Sequence, residues 1–415
     1  MQPETGTRWQ ARGAWSAGIT LFALETAQSV LLLPLLLRWM PSADVTLWIS
    51  LTAGLGLVNA AASAYALPLV RAVAGRGAQA AAPHNWRTLC RREDRFGAAL
   101  LLALQALFAA VLAWQVPAFA WQGAAAVLVF FAAMHLRLTA LNRFVWLNGM
   151  GQIGRDKQIL LKASAVTLTA ALVLAAATGS VLGLALASAL GAVALRWWAG
   201  QATRVFGHNP QGQPATWPAR REMVGLLLLN LSGYLNLGTD VLVANQLLPT
   251  KQAVSYAFWS RALMSTCLLA GLYTQIRFPA WAQADAAVLR TELHAAVSLP
   301  LLLPPLALLA YGALSLTDLG ATLCLLPWWM FTVMAATAGL ACAVVVSGQV
   351  STSRGAYAFL FPSAAVACTA PALALAGAAW AQPLAFVFGY AAANALLAAI
   401  NLWHARQTLA RPGLA

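Results

Sequence analysis

Long apolar stretches separated by short polar connections run along the whole chain. An apolar run of about 20 residues is long enough to cross the hydrocarbon core of a bilayer as a helix. About twelve such runs follow one another, which predicts an all-α integral membrane protein with about twelve transmembrane helices. The predicted spans lie near residues 14–37, 46–70, 97–116, 119–142, 158–178, 180–200, 223–248, 253–276, 295–314, 320–346, 356–378 and 382–403.

The composition agrees with a chain built for lipid and explains its positive charge. Of the 415 residues, 61% are hydrophobic and only 9% are charged, and the net charge is +14. In a soluble protein this excess would indicate nucleic acid. Here the basic residues collect at both termini and in the connections after even-numbered spans, whereas the other connections are short and nearly uncharged. Because cytoplasmic loops are enriched in Lys and Arg, the pattern predicts two cytoplasmic termini and no nucleic-acid partner.

The spans divide into two halves joined by a basic connection. The predicted domains are an N-terminal six-helix bundle at 1–200, a cytoplasmic linker at 201–222 and a C-terminal six-helix bundle at 223–415. When the second half is slid onto the first, Glu25 falls on Asp240 and Pro34 on Pro249. An even number of spans per half gives both halves the same orientation, which predicts bundles related by a pseudo-two-fold axis along the membrane normal. Two such bundles facing one cavity are typical of alternating-access transporters.

Two carboxylates lie inside the predicted spans. Glu25 shares a helix face with Gln28 in the first span, and Asp240 follows Ser232 and Asn236 at a spacing of four in the seventh. A charged group at bilayer depth is costly, and such residues generally face the bundle interior and serve function. Hydrogen bonding between helices is the alternative, and we favour it for Ser232 and Asn236. For Glu25 and Asp240 we predict binding and release of a coupling ion, either a proton or sodium.

Buried cations are the second feature of the spans. Arg261 lies well inside the eighth span, Arg137 in the cytoplasmic half of the fourth, and Arg143 one to two turns further on. These side chains either face a cavity or snorkel to the headgroups, and Arg261 could also pair with Asp240. We favour that pairing for Asp240 and prefer Glu25 as the coupling acid, because Glu25 has no basic residue nearby in its own helix.

The motifs of soluble enzymes are missing from the sequence. There is no phosphate-binding loop, nucleophile elbow, zinc-protease motif or dinucleotide fingerprint, and the five cysteines show no metal-ligand or disulfide spacing. A membrane glycan polymerase or ligase would need a large charged loop outside the cytoplasm, where the connections are short and nearly uncharged. The sequence therefore predicts a transporter without catalytic residues, metal site or cofactor.

Three segments resemble a known superfamily of exporters. FVWLNGMGQIGRDKQILL before the fifth span has an echo, VVVSGQVSTSRGAYAFL, before the eleventh, and LNLGTDVLVANQLLPTKQAVSYAFWSRALMS joins the seventh span to the eighth. Together with the two halves, these segments make the chain similar to polysaccharide flippases of the O-antigen (Wzx) type. That family belongs to the multidrug/oligosaccharidyl-lipid/polysaccharide exporter superfamily, which also contains the multidrug and toxic compound extrusion branch.

The resemblance implies a substrate and its partners. The expected activity moves an oligosaccharide on undecaprenyl pyrophosphate to the periplasmic leaflet of a bacterial inner membrane, for surface polysaccharide biosynthesis. Arg137, Arg143 and Arg261 would bind the anionic headgroup, because guanidinium groups match phosphate oxygens. The expected partners are this lipid and membrane lipids, with a polysaccharide polymerase and chain-length proteins as further candidates. The alternatives are an ion-coupled small-molecule exporter of the same superfamily and a membrane glycan polymerase or ligase.

Overall fold

The chain is described here by a computed structural model, which is helical throughout the described residues. These residues are 4–74, 85–115, 121–150, 152–204, 217–281, 284–318, 320–354, 356, 358–380 and 382–410. The first helices are α1 (Glu4–Trp39), α2 (Ser42–Ala53), α3 (Leu55–Ala74), α4 (Trp86–Gln115), α5 (Trp121–Gly149), α6 (Ile153–Thr178) and α7 (Val181–Thr203). They are followed by α8 (Arg220–Leu237), α9 (Asp240–Leu247), α10 (Thr250–Trp281), α11 (Ala286–Ser315), α12 (Gly320–Leu323), α13 (Trp328–Ser353), α14 (Leu360–Trp380) and, after a 3-10 turn at Pro383–Ala385, α15 (Phe386–Ala410).

The helices have the length and composition of membrane spans. Within the described ranges, 10 helical segments are long and apolar enough to cross a membrane. They coincide with the predicted second to seventh and ninth to twelfth spans, and the first and eighth predicted spans fall on the long helices α1 and α10. Large apolar side chains such as Leu128, Val173 and Leu301 are exposed on these helices, as expected of a surface covered by lipid. The prediction of an all-α, multi-pass membrane protein is confirmed.

The helices form two compact units. Unit 1 comprises Met1–Gln28 and Leu35–Leu231, and unit 2 comprises Ser29–Pro34 and Ser232–Ala415. In unit 1, α5 packs against α3, α4 and α7, and α7 packs against α6; in unit 2, α13 packs against α10, α11 and α15, and α15 packs against α14. The same pairings therefore recur in each unit, which supports the internal duplication. Residues 205–216 of the predicted linker lie outside the described residues.

Small residues bring neighbouring helices of unit 2 close together. A Cβ atom on Gly389 of α15 would lie 2.4 Å from the backbone nitrogen of Ala374 in α14. No side chain fits at this distance, so α14 and α15 approach each other through glycine. Such contacts are common between membrane helices, where close backbone packing replaces the hydrophobic driving force.

The seventh span is interrupted, although the sequence predicts one continuous helix over 223–248. Helix α8 ends at Leu237 and α9 begins at Asp240. A Cβ atom on Gly238 would lie 2.8 Å from Cδ2 of Tyr234, so a larger residue at this position would have to displace the Tyr234 ring. Asp240 therefore begins a new helix instead of continuing the predicted polar stripe. Breaks of this kind occur in transporters where the freed backbone borders a cavity.

Candidate functional site

Asp240 carries a buried carboxylate in unit 2. The residue is 5% exposed. Its Oδ2 accepts hydrogen bonds from the hydroxyl groups of Ser260 at 2.6 Å and Tyr256 at 3.0 Å, both on α10. Its Oδ1 has no hydrogen-bond partner among the described residues. A buried polar atom without a partner is costly, so Oδ1 can accept a further hydrogen bond.

Polar pairs hold the helices around the break. The hydroxyl groups of Thr239 and Tyr390 lie 2.9 Å apart. Asn236 and Asn394 exchange two hydrogen bonds through their amide groups, at 2.9 and 3.1 Å. These pairs tie the broken span to α15, and each contributes about 1 kcal/mol or less in a membrane. Hydrogen bonding between helices is thus the role of Asn236, whereas the side chain of Ser232 lies outside the described residues.

A small cavity adjoins Asp240. It offers about 20 Å³ to the centres of water molecules, and one water needs roughly 10–15 Å³ on this measure. A ligand pocket for a drug-sized molecule is far larger, about 300–1,000 Å³. The cavity therefore suits a water molecule or a small ion. Its wall consists of Asn236, Asp240, Tyr256, Ser260, Leu263, Met264, Met334, Thr337, Val387 and Tyr390.

Arg261 follows Ser260 on α10 and interacts electrostatically with the site. The side chain is half-buried, and the positive charge of Arg261 acts on the carboxylate of Asp240. This interaction lies within unit 2. It supports the interpretation that Arg261 is a partner of Asp240, while the role of Arg261 in substrate binding stays a prediction.

Glu25 lies in the middle of α1, in unit 1. Both Glu25 and Gln28 are half-buried, and the side chains of residues 26–27 and 29–31 lie outside the described residues. The internal repeat pairs Glu25 with Asp240, but the two acids belong to different units. Their local backbones also differ, because α1 continues unbroken through Glu25 whereas Asp240 follows a helix break. Ion coupling at Glu25 stays a prediction.

Arg143 forms an ion pair inside unit 1. Its Nη2 donates a hydrogen bond to Oδ2 of Asp94 at 2.7 Å, with side chains 24% and 25% exposed. An anionic substrate would have to compete with this carboxylate for the guanidinium group. Binding of a headgroup by Arg143 stays a prediction that the observed pairing does not favour.

Asp94 belongs to a polar network that the sequence did not reveal. Its neighbour Glu93 is fully buried and accepts a hydrogen bond from Nε1 of Trp146 at 2.9 Å. Asn142 donates to Oδ1 of Asp94 at 2.9 Å and accepts from the hydroxyl group of Tyr65 at 2.6 Å. The network joins α3, α4 and α5 through charged and uncharged groups.

The sequence places these acids in a basic cytoplasmic connection. The predicted third span begins at residue 97, whereas α4 already begins at Trp86. A spacing of four residues is the signal in the sequence that could have revealed the buried Glu93. Buried Leu89, Glu93 and Gly97 lie on one face of α4, and exposed arginines lie on another. The arginines on that face are Arg87, Arg91 and Arg95, and Arg92 is exposed as well.

Arg137 lies on α5 between the network and the middle of the helix. The side chain is half-buried. The Nε2 atom of nearby His135 lies 2.9 Å from Oε1 of Gln105 on α4. Arg137 and Arg143 are six residues apart, about 9 Å along a helix axis, and Arg261 belongs to the other unit. The three predicted arginines are therefore not neighbours within one unit.

Two observations bear on metal binding and thiol chemistry in the described part of the chain. No group of three His, Cys, Asp or Glu residues there could hold a metal ion. The sulfur atoms of Cys267 on α10 and Cys342 on α13 lie 3.5 Å apart as free thiols. We assign no metal or cofactor to this pair.

Comparison with known proteins identifies the fold. No protein-family model and no curated protein matches the chain, but solved structures match it along its whole length. A mutant of the MATE transporter VcmN from Vibrio cholerae is 14% identical, with a TM-score of 0.60 over 99% of each chain. This chain has the MATE transporter fold. A multidrug resistance MATE transporter of the MOP superfamily, in an outward-facing conformation, is 14% identical with a TM-score of 0.57, over 98% of this chain and 97% of that one.

A third protein with the MATE fold differs in its pocket. It is a MOP superfamily transporter from Pyrococcus furiosus, 13% identical with a TM-score of 0.55, over 97% of this chain and 96% of that one. The reverse polarity of its binding pocket suggests a different function for that protein. All three similar proteins are membrane transporters, and the similarity establishes the fold of this chain; transport by this chain stays a prediction. The polysaccharide branch stays a prediction.

Proposed function

We propose that this protein is an ion-coupled exporter of small organic molecules that works by alternating access. The observation that carries the proposal is buried Asp240 at a helix break, with two hydroxyl donors on Oδ2 and a small cavity alongside. A proton or sodium ion binds at Asp240 on one side of the membrane and leaves on the other. Its movement down the gradient drives the substrate out, because one charge crossing 100 mV releases about 2.3 kcal/mol.

Two observations bear on the substrate and on where it binds, and the sequence indicates the membrane. The chain shares the MATE fold with a multidrug resistance transporter, and the cavity at Asp240 is too small for a drug-sized ligand. The cavity therefore fits the coupling ion, and the substrate binds elsewhere. The placement in a bacterial inner membrane with cytoplasmic termini rests on the distribution of Lys and Arg and on the sequence resemblance.

A lipid-linked oligosaccharide is the second candidate substrate. Arg137 and Arg261 are half-buried within spans, where a guanidinium group could bind pyrophosphate in bidentate fashion. The MATE fold also occurs in the transporter from Pyrococcus furiosus whose pocket has reverse polarity. A similar fold can thus hold a pocket of a different polarity, and the sequence resemblance to polysaccharide flippases favours this class.

Transport by the purified protein in liposomes tests the proposal. An imposed proton or sodium gradient should drive the accumulation of a fluorescent organic cation, measured against protein-free liposomes. A second set of liposomes carries a fluorescent saccharide on undecaprenyl pyrophosphate, and its transfer between leaflets is measured by quenching from outside. Gradient-driven movement of the cation supports the main proposal, and movement of the lipid alone supports the second candidate. If neither moves in response to the gradient, ion-coupled export is wrong.

Substitution of two arginines separates the substrate classes further. If the pyrophosphate lipid is the substrate, Arg137→Ala and Arg261→Ala should lower its transfer about tenfold or more, because a buried charge-assisted contact contributes about 2–5 kcal/mol. The Arg→Lys variants should retain only part of the lipid transfer, because Lys lacks the planar, forked guanidinium group. Arg290→Ala, at an exposed position of α11, is the control. Normal transfer by both alanine variants at normal protein level would instead indicate snorkelling.

A further inference from the structure

A buried cluster in unit 1 contains two acids and one arginine. Asp94 holds Nη2 of Arg143 at 2.7 Å, and the adjacent Glu93 is fully buried. Oε2 of Glu93 accepts a hydrogen bond from Trp146. Oε1 of Glu93 and Nη1 of Arg143 are both buried, and neither has a hydrogen-bond partner within the described part of the chain. The cluster thus contains a buried acceptor atom and a buried donor atom that do not bond each other, and the Cys90 thiol interacts with both residues.

The groups that face Glu93 do not balance its charge. From α4 they are the thiol of Cys90 and the carboxylate of Asp94, and from α5 they are Arg143 and the indole N–H of Trp146. The hydroxyl group of Tyr65 on α3 also lies close enough to interact electrostatically with Glu93. Two ionised acids and one guanidinium group would carry one negative charge in excess. Buried charges are tolerated when they are paired, and an unpaired one is strongly destabilising.

We propose that Glu93 is a proton-binding site of unit 1, separate from the acid of unit 2. In the protonated state that we propose, Glu93 carries the proton while Asp94 holds Arg143, as it does in the structure. When the Glu93 carboxyl group releases its proton to water, the new carboxylate attracts Nη1 of Arg143. The guanidinium group is then shared between the two acids, which offsets the added charge.

The surroundings provide a route for the proton and a structural consequence. Asp94 and Arg143 are about a quarter exposed, so the cluster meets solvent at its outer edge while Glu93 lies behind it. Asp94 is also bonded to Asn142, which is bonded to Tyr65. A shift of Arg143 towards Glu93 therefore changes the contacts between α3, α4 and α5. Protonation of Glu93 would in this way set the packing of three helices of unit 1.

Infrared spectroscopy of the protein in lipid tests the site directly. Difference spectra are recorded while the pH is raised from neutral, where ordinary carboxyl groups are already ionised. Among the carbonyl stretches of protonated carboxyl groups that the wild-type protein loses during this titration, one should belong to Glu93. Glu93→Gln should lack this band. Trp146→Phe should shift its frequency, because the hydrogen bond to Oε2 is removed.

Glu292→Gln is the matched control. Glu292 in unit 2 accepts a hydrogen bond from the hydroxyl group of Tyr273 at 2.6 Å and one from Arg277 at 3.3 Å. It therefore also pairs with an aromatic donor and an arginine, but its arginine is about half exposed. The titrating band should be unchanged in Glu292→Gln. If Glu93→Gln keeps every titrating band of the wild type, or if folded Trp146→Phe shifts none of them, the proposal is overturned. The measurement needs no transported substrate, so its outcome is independent of the proposed function.

Discussion

Asp240→Asn is expected to abolish gradient-driven accumulation while leaving the protein folded in the membrane. The amide oxygen of asparagine can still accept the hydrogen bonds of Ser260 and Tyr256, but the side chain can neither bind a proton nor balance a sodium ion. One charge moved across 100 mV supplies about 2.3 kcal/mol, which sustains a roughly 50-fold accumulation at about 1.4 kcal/mol per factor of ten. This accumulation should vanish in the variant. Substrate uptake into proteoliposomes under an imposed gradient measures the effect.

Two variants control for effects of the substitution itself. Asp285→Asn makes the same chemical change at an exposed residue that precedes α11 in the same unit, and it should accumulate substrate normally. Ser260→Ala removes one hydroxyl donor but keeps the carboxylate, and it should alter the rate while retaining coupling. If Asp240→Asn accumulates substrate as the wild type does, Asp240 is a structural residue.

Glu25→Gln is expected to slow transport and to remove its dependence on a proton or sodium gradient. Glutamine keeps the shape and the hydrogen-bonding capacity of the side chain but cannot ionise. Because Glu25 lies half-buried in α1 of unit 1, its loss should act separately from changes at Asp240. Initial rates of uptake are measured with and without the gradient.

Glu222→Gln is the control for Glu25, because Glu222 is also half-buried and also lies in unit 1. It should respond to the gradient like the wild type. Wild-type, gradient-driven transport by Glu25→Gln would mean that the Glu25 carboxylate has a structural role only, and that unit 2 contains the coupling acid.

The membrane spans and the internal repeat could be predicted because both are recorded in local patterns. The length of an apolar run fixes whether a helix can cross a bilayer, and the repeat pairs Glu25 with Asp240 along the chain. The break at Gly238 could not be predicted in the same way. Glycine is common in continuous membrane helices, so its presence in the sequence does not mark a break, and the close approach of the Tyr234 ring to Gly238 is seen only in the structure.

The partners of the buried charges could not be predicted from the sequence either, because these partners lie on other helices. Depth within a span indicated that Asp240 is unusual, and Arg143 lies just past the predicted fourth span, but neither position shows what the side chain contacts. Arg143 pairs with an acid on another helix, and Asp240 receives its hydrogen bonds across the turn between α9 and α10. Glu93 was hidden because adjacent arginines gave its segment the appearance of a solvated loop. Such pairings depend on packing between helices, which no single-helix pattern encodes.

Counterflow of the coupling ion tests the central claim most directly. Proteoliposomes are prepared with equal ion concentrations on both sides, and a gradient of the transported substrate is then applied. An interior pH dye and a sodium indicator report ion movement. The account predicts that substrate moving through the wild-type protein drives protons or sodium ions in the opposite direction, and that Asp240→Asn abolishes this ion flux. Substrate movement without any ion flux, or an equal ion flux in Asp240→Asn, would contradict it.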